Sequence, residues 1–149
     1  MRGIVSNTLV VPTGYEQIAE LTLAHRDDLH RLYGQTWWAR DRKLQDVDRV
    51  LRNSKPIVGI CECGSRKLVA FARVLTDFIY KATIYDVIVD EKLRGRGFGR
   101  VLIETVLNHP DLQNVPDIEL YTRAELIPFY AKWGFTGDLP EVRFLRKRT

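Results

Sequence analysis

Apolar residues along the chain fall into short runs of two distinct periods. In "AHRDDLHRLYGQTWW", residues 24–38, Leu29, Leu32 and Tyr33 recur at i, i+3 and i+4, which predicts a helix. "LQDVDRVLRNS", 44–54, repeats the pattern with Leu44, Val47, Val50 and Leu51 and stops before Pro56. Ahead of these, "YEQIAELTL", 15–23, has a mixed pattern and reads as a first strand. "IVGICEC" and "KLVAFARVL" are dense apolar runs joined through "GS", the composition of a tight hairpin, and "ATIYDVIV", 82–89, is a third β-rich run. From about Gly97 the period turns helical again, with Val101, Leu102, Thr105 and Val106, until Pro110 breaks it in "NHPDL". "DIELYT", 117–122, predicts a short strand, "AELIPFYAKWG", 124–134, a helix closed by Gly134, and "EVRFLRKR", 141–148, a final alternating strand. Helices, a three-strand meander, then helix, strand, helix and strand imply a mixed α/β sheet. No repeat or low-complexity linker interrupts residues 1–149, which read as a single domain.

Composition narrows the class. A chain of 149 residues, 45% apolar and 28% charged, can bury an ordinary core without disulfides or metals. The net charge of +4, densest in "RFLRKRT", favours anionic partners or serves as a solvated basic surface. "MRGIVSNTLVVPTGYEQ" has no apolar core of signal-peptide length and no run approaches a membrane span, so the expectation is a cytoplasmic protein with no membrane partner. Cys61 and Cys63 share a strand face by alternation and are expected to pack as small apolar residues. No second Cys/His pair stands at zinc spacing, so no metal is expected.

"VDEKLRGRGFGR", 89–100, joins the third β-rich run to a helix. Helix-start amides point outward there, the helix dipole favours negative charge, and glycines admit a ligand close to the backbone. The junction is an anion site, most naturally for phosphate, with Arg94, Arg96 and Arg100 adding charge. A Walker A loop needs Lys followed by Ser or Thr, which Arg100-Val101 does not supply. A dinucleotide fingerprint needs G-x-G-x-x-G in an N-terminal βαβ unit, whereas "GRGFG" is one residue short and follows a meander.

What remains, R-x-x-G-x-G from Arg94 to Gly99 directly after a strand, resembles the Q/R-x-x-G-x-G/A signature of the GNAT superfamily of acyl-CoA-dependent N-acyltransferases. "DVIVDEKLRGRGFGRVLIETVL" is similar to that family's strand-plus-helix motif. "LIPFYAKWGF" is similar to its later Y-x-x-x-G-F segment, with Tyr130, Gly134 and Phe135 in register. The element order agrees over roughly residues 16–148. The resemblance implies a GNAT-like α/β fold: a mostly antiparallel sheet of six to seven strands, about four helices, and a splay between the fourth and fifth strands. It implies acetyl-CoA as co-substrate. The pyrophosphate would lie on amides of Arg94, Gly95, Arg96, Gly97, Phe98, Gly99 and Arg100, and the pantetheine arm along Val87, Ile88 and Val89.

The family's later tyrosine maps to Tyr130, which would protonate the departing thiolate. A phenol near pKa ~10 can do so once the site tunes it against a thiol near ~8.5. An asparagine common seven residues earlier is replaced by Arg123, which could reach a CoA phosphate instead. For the base, Asp86 inside an apolar strand is one candidate, its pKa raised by burial if it faces the cleft, and Glu119 is a second; each could equally face solvent or pair with an arginine. On the acceptor side, Trp37 and Trp38 stand in the first helical region, where an aromatic face could hold an amine. Phe78 and Tyr80 occupy an aromatic hairpin loop.

The resulting expectation is an N-acetyltransferase acting on a primary amine of a small molecule, by direct attack in a ternary complex. Acetylation of a protein N-terminus or lysine, and a non-catalytic CoA-binding sensor, remain the alternatives. A homodimer is compatible with the family. A nucleic-acid partner is disfavoured, because neither a helix-turn-helix signal nor a basic aromatic strand face stands out.

Overall fold

A computed structural model describes residues 9–149. Residues 1–8, the opening of the stretch judged for a signal peptide, lie outside the described residues. Strand β1, Tyr15–Ile18, is shorter than its apolar run. It ends because Thr22 caps helix α1, Leu23–Gly34: the Thr22 hydroxyl accepts from the His25 amide, and His25 Nδ1 accepts from the Thr22 amide. Helix α1 stops at Gly34 rather than running through the tryptophans. The Thr36 hydroxyl donates to the Tyr33 carbonyl at 2.9 Å, taking a group that a further turn would use. The connection 35–43 then leads to α2, Leu44–Arg52.

Strands β2, Ile57–Glu62, β3, Leu68–Thr76, and β4, Lys81–Val89, form the expected meander. Helix α3, Phe98–Leu107, crosses back to β5, Asp117–Leu120. Beyond it Pro128, which is tolerated only in a first turn, starts the short helix α4, Ile127–Ala131, after a 3-10 turn. The sheet order is β1-β2-β3-β4-β5, antiparallel except for the parallel β4–β5 pair.

Among the described residues five strands form the sheet, against the six to seven expected. "EVRFLRKR" forms no strand: Val142, Phe144 and Leu145 are exposed, and Arg143 Nη1 bonds the carbonyls of Leu139 and Val142 in its own segment. Alternation supplied the strand period, but β5 offers it no ladder. Cys61 is buried as expected, whereas Cys63 is exposed, because the strand ends at Glu62 and alternation no longer governs Cys63.

Each sheet face carries a core. Phe98, Val101, Leu102 and Val106 of α3 cover Val58, Ile60, Ala72, Val74, Ala82 and Ile84 on one side. Leu29, Leu32 and Tyr33 of α1 and Val47 of α2 cover Phe71 and Ile88 on the other. Burying each large aliphatic side chain contributes about 1.5–3 kcal/mol, so these layers hold β4 rigid between them. Among the described residues no helix is long and apolar enough to cross a membrane.

Candidate active site

Strand β4 changes character halfway along. Lys81 to Ile84 pair with Asp117 to Leu120, and the pairing ends there. The next positions, Tyr85 and Tyr121, stand side by side with ring centroids 5.8 Å apart. From Tyr85 to Val89 the outer edge of β4 has no strand beside it among the described residues. That opening is the splay expected between the fourth and fifth strands. On its inner edge β4 bulges: Phe71 pairs with Ile88 and Arg73 with Tyr85, so Ala72 faces two residues, Asp86 and Val87. Asp86 adopts φ 55°, in the left-handed region that Asp tolerates better than most residues. The bulge resets the alternation. Ala82 and Ile84 face the α3 core before it, while after it Val87 and Val89 do so and Ile88 turns to the α1 core.

Asp86 is nearly sealed from solvent and accepts three hydrogen bonds on Oδ2. They come from Tyr33 Oη at 2.8 Å, Arg42 Nη1 at 2.7 Å and Arg73 Nε at 2.6 Å. Burial alone would raise its pKa, but the bonds and charges of the two guanidiniums outweigh it and hold the carboxyl below its usual range. The expectation that burial lifts Asp86 to a base-like pKa is therefore reversed. Tyr33, buried against this carboxylate, is pushed well above the ordinary phenol range by burial and by the negative charge of Asp86.

Past Val89 the chain is pinned before it opens. Arg31 Nη1 binds buried Asp90 at 2.8 Å, and the Asp90 side chain accepts from the Lys92 amide at 3.1 Å. Gln35 Oε1 accepts from the Glu91 amide at 2.9 Å. Gly95 at φ 77° and Gly97 at φ 93° then turn the backbone into α3 through conformations that a side chain would strain. Gly97 is the N-cap, and the first helical bond runs from the Val101 amide to its carbonyl. The amides of Phe98, Gly99 and Arg100 consequently have no partner within the helix. A cavity of about 290 Å³ lies over this turn, lined by Arg96, Gly97, Arg100, Val101 and Glu104 and by Leu9, Val10 and Pro12, with the Glu104 carboxylate taken up by Arg100. Arg94 is turned back, its Nε donating to the Val89 carbonyl at 3.2 Å, and Arg100 bonds Glu104 at 2.9 Å. A larger depression of about 410 Å³, at the start of α1 and the β2–β3 turn, is lined by none of the candidate residues.

Helix α4 packs onto this turn. A Cβ on Gly99 would lie 3.4 Å from Phe129, and Trp133 Nε1 donates to Glu104 at 3.4 Å. Tyr130, 7% exposed, joins the core against which Val87 and Val89 pack, edge-on to Phe129 and Phe135. Its hydroxyl makes no hydrogen bond among the described residues, and burial raises its pKa.

The remaining candidates divide. Trp37 and Trp38 are exposed in the α1–α2 connection. Arg42 lies over Trp38 at 5.4 Å and Arg123 over Trp37 at 5.3 Å. Arg123 pairs with Glu125 at 3.0 Å and lies over Trp37, a placement beside that tryptophan and not the phosphate contact expected of it. Glu119 is exposed and ion-paired to Lys81 at 2.7 Å, in the closed half of the β4–β5 pair. Phe78 and Tyr80 sit in the β3–β4 loop, whose amides at Ile79, Tyr80 and Lys81 bond Asp77. Six strand residues at ~3.3 Å each put Tyr80 roughly 20 Å from Asp86, so the loop is not brought to the opening.

Arg73, Arg42, Tyr85 and Tyr121 complete the site and were not anticipated. A signal existed. "KLVAFARVL" and "ATIYDVIV" each bury one charge of opposite sign on adjacent strands, and such charges persist buried when paired.

Comparison with known proteins agrees with this geometry. The acetyltransferase (GNAT) domain family model matches residues 53–137. An uncharacterized N-acetyltransferase, ycf52, of Pyropia yezoensis is 31% identical over 113 residues, 74% of this chain and 64% of that protein. A serotonin N-acetyltransferase of Oryza sativa subsp. japonica is 34% identical over 126 residues, 80% of this chain and 62% of that one. The chain thus spans somewhat under two thirds of these curated relatives. A crystal structure described as a GNAT-family acetyltransferase, from Xanthomonas campestris pv. campestris, superposes with TM-score 0.78 at 34% identity, covering 90% of this chain and 93% of that one. Matched by the family model over more than half of its length, the chain belongs to the GNAT acetyltransferase family.

Proposed function

We propose that this protein transfers an acetyl group from acetyl-CoA to a primary amine of a small molecule, within a ternary complex. One observation carries the reading: the splayed edge of β4, the amide-rich turn at Gly97 and buried Tyr130, whose hydroxyl has no hydrogen-bond partner among the described residues, border one core. The turn fits a pyrophosphate, since its glycines leave the α3 amides uncovered and Arg96 and Arg100 line the cavity above it. Val87 to Val89 would take the pantetheine arm along the unpaired edge.

In the reaction the amine nitrogen bonds to the thioester carbonyl carbon and the carbon–sulfur bond breaks. Tyr130, kept protonated by burial, gives its proton to the leaving sulfur. The amine's surplus proton leaves through water and restores the Tyr130 phenol, because Asp86, held ionised by two arginines, is a weak proton acceptor and Glu119 is bound to Lys81. Positioning supplies most of the acceleration.

The exposed faces of Trp37 and Trp38 would hold a small aromatic or apolar amine, which favours that acceptor class over an extended polypeptide. An acetyl-CoA thiol-release screen over arylalkylamines, polyamines, amino sugars and lysine peptides tests this. Release with a small amine is expected; release with peptides alone shifts the reading to protein acetylation, and tight CoA retention without any release shifts it to a sensor. With the accepted amine, Tyr130→Phe should lower kcat about 10²-fold with little change in the KM for acetyl-CoA. An unchanged kcat would remove Tyr130 from the chemistry.

A further inference from the structure

Asp28, Arg31 and Gln35 stand at i, i+3 and i+7 along α1 and its C-cap, so their side chains share one face of the helix. That face meets the sheet where its ladders stop. Strand β3 begins at Leu68, whose amide donates to Asp28 Oδ2 and whose carbonyl accepts from Arg31 Nη2, both at 2.9 Å. Strand β4 ends at Val89, and Arg31 Nη1 reaches one residue further, to Asp90 Oδ2 at 2.8 Å. Gln35 Oε1 reaches one further still, accepting from the Glu91 amide at 2.9 Å. Three side chains of one helix thus hold the first residue of β3 and the two residues that follow β4.

These bonds leave the corner after β4 with no free amide. The Asp90 amide donates to the Val69 carbonyl and the Leu93 amide to the Asp90 carbonyl, both at 2.8 Å. The Lys92 amide donates to Asp90 Oδ1 at 3.1 Å, and the Glu91 amide is taken by Gln35. Asp90 is buried, and each of its carboxylate oxygens has a partner. Arg31 Nε is buried too, with no hydrogen-bond partner among the described residues. A buried donor left unpaired is costly, so this guanidinium is aimed at Leu68 and Asp90 at the expense of its own full bonding.

We propose that Arg31 is a positioning residue for the acyl donor. Through Asp90, with Gln35 beside it, Arg31 fixes the point from which the backbone turns through Gly95 and Gly97, and so sets the amides at the start of α3 against the end of the β4 edge. It touches no reacting atom. A surface built of backbone amides binds an anion well when it is ordered beforehand. A loose corner must be ordered at the moment of binding, which lowers affinity without altering the chemistry. The role in donor binding rests on the acetyl-transfer reading, whereas the fixing of the corner does not.

Amide hydrogen exchange without ligand tests the corner. In Arg31→Gln the amides of Asp90, Glu91, Lys92 and Leu93 should exchange at least about fivefold faster than in the wild type, with α2 and the middle of β3 unchanged. Unchanged exchange, or an equal rise throughout the sheet, overturns it.

Calorimetric titration with CoA tests the consequence. Arg31→Gln should raise the Kd roughly tenfold, and Arg31→Lys should recover part of the loss, because an ammonium can reach Asp90 but lacks the fork that also holds Leu68. Asp90→Asn keeps an acceptor for the Lys92 amide and loses only the charged pair, so it should weaken CoA to a similar degree. Arg31→Gln/Asp90→Asn leaves no buried charge unpaired and is the form to measure if Arg31→Gln does not fold. Its Kd should lie within about twofold of the single variants, since the two residues act as one unit, and losses that multiply would overturn the path through Asp90. With the amine found by the thiol-release screen, the KM for acetyl-CoA should rise while the acceptor KM and the kcat at saturation stay within about twofold. A loosened corner with unchanged CoA affinity, or a loss confined to kcat, defeats the positioning role. A wild-type protein that binds no CoA defeats the acetyl-transfer reading and the donor role with it, while the exchange result still decides the corner.

Discussion

At Asp86 one side chain decides between two readings of the site, and pH separates them. Three donors converge on its Oδ2, two of them cations, so the folded protein stabilises the carboxylate despite burial. A carboxyl whose folded pKa is depressed contributes stability that is fully present above its unfolded value. That contribution is lost as pH falls through the lower folded value. Asp86→Asn removes the charge and leaves two guanidiniums facing a neutral amide, which should cost about 3 kcal/mol at neutral pH. In denaturant titrations the gap between wild type and variant should stay constant from pH 8 down to ~4 and shrink only below that. A gap that already closes between pH 7 and 5 would mean a raised pKa, and would restore Asp86 as a proton acceptor. Sequence alone showed a charge in a strand; it could not show that Arg42, 44 residues away, was the partner that reverses the effect of burial.

The junction of β4 and α3 works as an element because its backbone, not its side chains, makes the binding surface. Two of its glycines differ in what they require. At Gly97, φ 93° forbids a side chain on backbone grounds, although a Cβ there would meet nothing within 4 Å. At Gly99 the backbone is ordinary helix, and a Cβ would come to 3.4 Å from a Phe129 ring carbon that can shift slightly. Gly97→Val should therefore strain the turn by about 1–2 kcal/mol, and more through its β-branch, and should abolish detectable CoA binding by calorimetry. Gly99→Ala should keep the fold and lose less than about tenfold in affinity. Equal loss in both variants would place the requirement in space around the helix, not in the conformation of the turn.

Across the whole molecule, what was legible followed period and punctuation. The meander, α3 and the glycine junction were placed because their apolar spacing, Pro110 and the glycines are local signals. The ends of α1 and β1 were misplaced because Thr22 and Thr36 act through their side chains on neighbouring backbone, which periodicity does not register. Arg42 and Tyr33 as partners of Asp86, and the position of Arg123, depend on tertiary packing and were out of reach, whereas Arg73 on the neighbouring strand was within it. The tail failed for a related reason: alternation describes a strand's faces, while a strand exists only if an edge pairs with it. Here the tail's ring contact is Phe144 against Tyr121, at 4.6 Å and half exposed. Such an aromatic pair contributes about 1 kcal/mol, which for a domain of this size corresponds to roughly 2–4 °C in Tm. Removing residues 142–149 should lower Tm by no more than that and leave the exchange protection of β5 unchanged. A sixth strand on that edge would behave differently, because its removal would strip the β5 amides of partners and cost several kcal/mol. A loss of 10 °C or more, with β5 exchanging freely, would return the tail to the sheet.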